Sequence, residues 1–296
     1  MIFLEEEVSI ASIIIDAINT IFQTLFSSID TNVASILDEV TFIDSSILKT
    51  SYFSSIFGNS TTSGILLVAN SLILGFLLYY AVRLLLSHLL ITQVERPTSF
   101  VFKLLFFGIC MNSCFFICER LLFFNHTICS LIQSIGHDLF GESITFSNLF
   151  TRINSMIVIE QTNFNIFSID GILKSFLSIS SMNLVFTYAI RFILVKVFVL
   201  IAPFAFLSLC NNATASFFKA WIKCFLSLLL VQIFIALVLV ILFSMDFHPD
   251  NIVSKFLICG SIFALLKAND LVRQFLGGIS TDIRTGMQGM SNILKS

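Results

Sequence analysis

The chain reads as an all-α, polytopic membrane protein of about five transmembrane helices, with its N-terminus outside the cytoplasm and its C-terminus inside. An amphipathic helix precedes the first span. Three observations predict this: the composition, the spacing of long apolar runs, and the way charge is divided among the segments between them. Hydrophobic residues make up 57% of the 296 positions and charged residues only 11%. The mean hydropathy is +0.98. A soluble domain carries roughly 25% charged residues to cover its surface, so lipid must solvate much of this chain.

A helix needs about 20 mostly apolar residues to cross the hydrocarbon core. Five stretches approach that length: 65–82, 100–118, 184–209, 225–243 and 252–266. They divide the chain into an outer N-terminal segment (1–63), a first pair of spans (64–118), a large outer loop (119–183), three further spans (184–266) and a cytoplasmic tail (267–296). Cytoplasmic segments are enriched in Lys and Arg. With the N-terminus outside, the inner segments hold nine basic and three acidic residues, and the outer ones five basic and fifteen acidic. Every inner segment is net positive and every outer one net negative, a pattern that a wrong span count would scramble.

The outer segments have their own patterns. Over 8–40 apolar residues recur at helical spacing, through Ile14, Ile18, Ile21, Leu25, Ile29, Val33, Ile36 and Leu37, with Asp16, Asn19, Gln23 and Asp38 opposite. This is an amphipathic helix. Its polar face lacks Lys and Arg, so it does not dock on anionic lipid by charge. Two uses stay open: lying on the bilayer or its own bundle, or meeting a neighbouring subunit. Asn59–Ser63 form a polar break ahead of the first span. The 119–183 loop is too apolar for disorder and is expected to fold or to hug the membrane. Met1–Glu7, with Glu5, Glu6 and Glu7, has no basic opening of a secretory signal. In the tail, Gly277 and Gly278 form an expected helix cap, with Gly286 and Gly289 beyond.

Chemistry is sparse. There is no H-E-x-x-H, G-x-S-x-G or phosphate-binding loop, and His88, His126, His137 and His248 are scattered. The seven cysteines include no C-x-x-C pair, and Cys110, Cys114 and Cys118 fall on one helical face as small packing residues. No catalytic, cofactor or metal site is expected, and the chain is read as a non-enzyme. The unusual feature is the third span, where Arg191 and Lys196 lie in an apolar run ahead of Pro203. A cation at the bilayer centre costs roughly 2.5–3.5 kcal/mol on insertion scales. Either Arg191 sits at the outer interface with Lys196 snorkelling, or Lys196 faces a bundle interior, a conduit or an acid. Five residues is about 140° of helical rotation, so the two cations do not share a face. Asn70, Asn112 and Gln232, inside three spans, read as polar links between helices.

Segment 191–230 carries a resemblance. A basic, apolar helix ends in a stretch holding Pro203; a short loop with Thr214, Phe217 and Phe218 follows; and a basic segment with Lys219, Trp221 and Lys223 leads into the next span. This resembles the polytopic inner-membrane subunit of type IV secretion systems (the TrbL / VirB-six family). The family layout is similar too: outer N-terminus, about five spans, a large central outer loop and a Gly-containing cytoplasmic tail. The resemblance implies a multi-pass protein of the bacterial inner membrane, without cofactor, that forms or lines an early channel for DNA or protein. It implies pilus, core-complex and ATPase subunits as partners, beside the lipid bilayer and further copies of the chain. Arg191, Lys196, Pro203 and Trp221 are then conduit or packing residues. Lys219 and Lys223 fall at the cytoplasmic mouth, where an anionic substrate or an ATPase would meet them. Other readings are a small-molecule transporter, which usually shows internal repeats absent here, a subunit of another export apparatus, or a membrane-embedded enzyme.

Overall fold

The computed structural model describes residues 10–58, 63–90, 96–156, 168–245 and 251–276. Nine α-helices and a short 3₁₀ turn make up the regular structure of these residues, with no strand among them. The acidic start at Glu5–Glu7, most of the 59–63 break, His248 and the Gly-containing tail from Gly277 lie outside them.

In chain order the helices are α1 (Ile10–Thr41), α2 (Ser51–Phe57), α3 (Gly64–Leu90), α4 (Pro97–Asn112), α5 (Cys114–Phe140), α6 (Phe146–Met156), α7 (Ile169–Ser208), α8 (Ala215–Phe243) and α9 (Ile252–Leu276). Four are long and apolar enough to cross a membrane: α3 over Gly64–Ser87, and α5, α7 and α8 over their full lengths. The chain is thus a helical membrane protein.

The helix ends differ from the apolar runs in instructive ways. The run at 100–118 is divided at Ser113, where one non-helical residue separates α4 from α5. The Ser113 N–H closes the last turn of α4 on the Ile109 carbonyl at 3.0 Å, and the Asn112 side chain donates back to the Gly108 carbonyl at 2.9 Å. With 16 residues, α4 is about 24 Å long, short of the ~30 Å hydrocarbon core. α7 has 40 residues and is about 60 Å long, twice that thickness. Much of the 119–183 loop is therefore helix that continues out of α5 and into α7, with α6 between. Apolar patterning marks where a helix enters lipid; it does not mark where the helix stops, because backbone bonding continues past the lipid boundary.

Two compact units are built from interleaved segments. The first draws on Met1–Thr41, Leu131–Ala189 and Phe234–Ala268. Here the end of α1 packs on α6, burying Val33, Ala34 and Leu37 of α1 and Leu149, Phe150 and Ile153 of α6. Asp38 accepts the Phe146 and Ser147 amides at 2.7 and 3.1 Å and the Ser147 hydroxyl at 2.6 Å. A carboxylate from a distant helix thus caps the N-terminus of α6. Towards its own start, α1 leaves Ile15, Ile18 and Ile21 uncovered. Gly136 allows α5 to approach α8: a Cβ there would lie 2.6 Å from Ile144 Cγ1 and 3.1 Å from Val240 Cγ2.

The second unit draws on Phe42–Ser130, Ile190–Ile233 and Asn269–Ser296. Its core runs from Ile43 and Leu48 through Phe53, Leu66, Met111 and Cys118 to Val199, Trp221 and Phe225. The α2–α3 corner needs glycine twice. Gly58 and Gly64 have φ of 118° and 61°, and a Cβ on Gly64 would lie 2.5 Å from the Ile56 carbonyl. α3 and α4 run antiparallel, joined by the reciprocal Asn70–Asn112 amide pair (3.2 and 3.3 Å) and by Tyr80 stacked on Phe100 at 3.9 Å.

Candidate functional site

Segment 190–233 of the second unit forms a helix–turn–helix hairpin from the end of α7 and the start of α8. α7 continues through Pro203 to Ser208. Proline has no N–H to return to the Val199 carbonyl, so this turn of helix is one bond short. Beside it the Trp221 indole N–H donates to the Phe198 carbonyl at 2.9 Å. Trp221 is 3% exposed and stacks on Phe225 at 5.4 Å, with Phe206 and Phe218 within 5.7 Å. A buried tryptophan needs a partner for its N–H, and here that partner is the backbone beside the proline.

The turn is closed by its own polar residues. The Thr214 hydroxyl donates to the Ser208 carbonyl at 2.7 Å, at the open end of α7. The Asn211 side chain accepts from the Ala213 amide at 3.1 Å. Cys210 is buried in this turn, and burial pushes its thiol up to about 11. It is a packing residue, not a nucleophile.

The cations separate by face. Arg191 is 1% exposed. Lys196 is half-buried and holds its ammonium 4.7 Å from the centre of the Phe192 ring. Lys219 and Lys223, four residues apart at the start of α8, are both exposed, whereas Trp221 between them points inward. The structure therefore gathers Pro203 and Trp221 into one place, buries Arg191, and leaves Lys196, Lys219 and Lys223 at the edge of the hairpin.

The second unit also contains a polar junction at Gln232. Its amide accepts from Asn125 of α5 at 3.2 Å and donates to the Ile43 carbonyl at 3.3 Å. Gln232 is 1% exposed and Asn125 is 4%. The reading of Asn70, Asn112 and Gln232 as links between helices matches these bonds. Asn125 carried no such signal in the sequence, since it lies beyond the apolar run that marks its span.

No family model, curated protein or solved structure matches the chain.

Among the described residues no group of three His, Cys, Asp or Glu side chains is placed to hold a metal ion.

The first unit has a polar cluster that the sequence did not point to. Lys255 at the start of α9 pairs with Asp170 at the start of α7 at 2.6 Å. Lys174, 4% exposed, donates to Asn154 of α6 at 2.5 Å. Arg152 of α6 donates to the Phe243 carbonyl at 3.1 Å, at the end of α8, and lies 3.5 Å from Glu142. Tyr188 donates to the Leu265 carbonyl at 3.1 Å. These bonds fasten α6 and the ends of α7, α8 and α9 into one body.

Proposed function

We propose that this chain is a channel or scaffold component in the inner membrane of a type IV secretion system, for conjugation or effector translocation. It helps pass DNA or protein across that membrane and supports pilus and core assembly, without catalysis or cofactor. The observation that carries the reading is the hairpin of 191–230. It holds the residues of the resemblance in one helix–turn–helix, with Trp221 against the turn that Pro203 weakens.

The proposed layout has five crossings: α3, α4 with the start of α5, α7, α8 and α9. The N-terminus is outside and the C-terminus inside, as the charge partition favours. The helices fastened by Asp38, Arg152, Lys174 and Lys255 then belong to the outer side, where pilus and core-complex subunits are met. Lys219 and Lys223 face the cytoplasm, where ATPases and anionic substrate are met. Only 11% of the apolar stretch of α3 is buried, against 50% for α7 and 56% for α8. An uncovered apolar helix of this extent suits lipid or a neighbouring subunit.

The test is an in-frame deletion in the native host, scored for intercellular transfer of DNA or effector protein, with complementation. Loss of transfer restored by the wild-type gene supports the reading; normal transfer from a strain with no second copy sinks it. The Lys219→Gln/Lys223→Gln pair is expected to lower transfer while leaving membrane insertion intact. Unchanged transfer would remove those lysines from the cytoplasmic mouth.

A second reading, a small-molecule transporter or a subunit of another export apparatus, is favoured by Arg191. A buried cation inside an apolar helix is a common mark of a substrate or ion pathway. Substrate uptake in the same deletion strain separates the two.

A further inference from the structure

An open groove runs between α3 and α4, lined by Ile73 and Leu77 on one side and by Leu104, Gly108 and Asn112 on the other. Its volume is about 500 Å³, within the range of small-molecule sites. A second hollow of about 280 Å³ continues it through Val101 and Leu105 to Pro97 and Thr98. The groove is closed at one end by the Asn70–Asn112 amide pair. At the other end three positive features coincide.

The Tyr80–Phe100 stack sets the register of the antiparallel pair. Arg83 follows Tyr80 by three residues and Arg96 precedes Phe100 by four. Both therefore leave the pair in the same direction, about 4.5–6 Å of helical rise past the rings. Both residues are exposed. Arg96 is also the N-cap of α4, with no side-chain cap bond to its first turn. The positive end of the α4 dipole thus faces the same spot, an arrangement that favours phosphate.

We infer that the α3–α4 groove binds an anionic phospholipid, with one acyl chain between the helices and the phosphate held by Arg83, Arg96 and the first turn of α4. The apolar walls suit the chain, and the two guanidiniums suit a phosphate geometrically. A zwitterionic headgroup fits less well, because its ammonium would be added to two cations and a helix N-terminus. A second copy of the protein is also disfavoured: a symmetric α3–α4 contact would bring two more arginines to the same place. The inference requires only that α3 and α4 lie in a membrane, and it is independent of the secretion reading.

The full-length protein, purified in mild detergent, is titrated with dioleoyl phosphatidylglycerol or dioleoyl phosphatidylcholine, and retained lipid is counted by native mass spectrometry. The wild type is expected to hold one phosphatidylglycerol with a preference of about tenfold or more over phosphatidylcholine, on the scale of attraction per basic residue at a membrane surface. Arg83→Gln/Arg96→Gln is expected to bring the two lipids near parity. Gly108→Leu is expected to lower retention of both, since a Cβ there would lie 3.7 Å from Ile73 Cδ1 and the longer side chain would fill the groove. Lys219→Gln/Lys223→Gln is expected to keep the preference, and inorganic phosphate not to displace the lipid. Monodisperse elution and an unchanged helical spectrum confirm that the variants fold. Equal retention of both lipids by the wild type overturns the inference whatever the variants do. So does a preference that survives the double arginine change, or one lost equally on neutralising Lys219 and Lys223.

Discussion

Asp38 shows how one residue acquires a role outside its own helix. In the sequence it is one of the polar positions of an amphipathic stripe. In the structure its carboxylate receives three hydrogen bonds from Phe146 and Ser147, 108 and 109 residues away. Asp38→Ala is expected to cost about 1–2 kcal/mol, the usual worth of a strong cap. Faster hydrogen exchange confined to the amides at the start of α6, with α3 unchanged, is the measurement. Asp44 acts within its own segment. Burial raises its pKa, but the Ser45 and Ser46 amides and nearby His126 outweigh this, so its carboxyl is held below the ordinary value of 3.8. Because the folded value is depressed, the stabilisation is complete above 3.8 and disappears as pH falls through the lowered folded value. Pepsin cleavage within 42–48 is therefore expected to step up at acidic pH in the wild type, and Asp44→Asn is expected to lack that step.

At the scale of elements, the pair α3–α4 isolates one kind of bond. Asn70 and Asn112 satisfy each other's amides between two helices whose other contacts are apolar. Interhelical bonds of this kind contribute about 0.6 kcal/mol on average and up to about 1.7. Asn70→Leu alone leaves the Asn112 side-chain oxygen without its Asn70 donor, whereas changing both removes donor and acceptor together. The double variant is thus expected to lose less stability than the sum of the two single ones, in a double-mutant cycle read by thermal unfolding in detergent. Additivity would show that the two amides do not act as a pair. The apolar run at 100–118 misplaces a helix end because its hydropathy is continuous across Ser113, and only the backbone of Ser113, at φ −94° and ψ 1°, marks the break.

At the scale of the whole molecule, the proposed topology makes a prediction independent of transfer activity. In a cysteine-free background, Asn148→Cys near the start of α6 is expected to react with a membrane-impermeant maleimide on intact cells. Asn212→Cys, in the α7–α8 turn, is expected to react only after permeabilisation. Labelling of both from one side would remove the α7 crossing, and the reverse pattern would reject the proposed orientation. α7 bears on the same question. A helix of 40 residues exceeds the hydrocarbon thickness about twofold, so part of it must stand outside lipid. Its first turns carry Asp170 and Lys174, tied to Lys255 and Asn154, which suits water and not lipid.

The sequence by itself determined that this protein is helical, that lipid solvates much of it, and roughly where its apolar helices lie. Those properties are sums over neighbouring residues, and composition and period report them directly. It also separated Arg191 from Lys196, because helical rotation between them depends only on their spacing. Which polar groups meet was decided by the tertiary structure alone. Asn70 and Asn112 are 42 residues apart, and Gln232 reaches the carbonyl of Ile43 across 189. Asp38 on α6, Lys255 on Asp170 and the concave face between α3 and α4 likewise depend on how distant helices are brought together. A buried polar group must find a partner wherever the packing provides one, and no local pattern records where that will be.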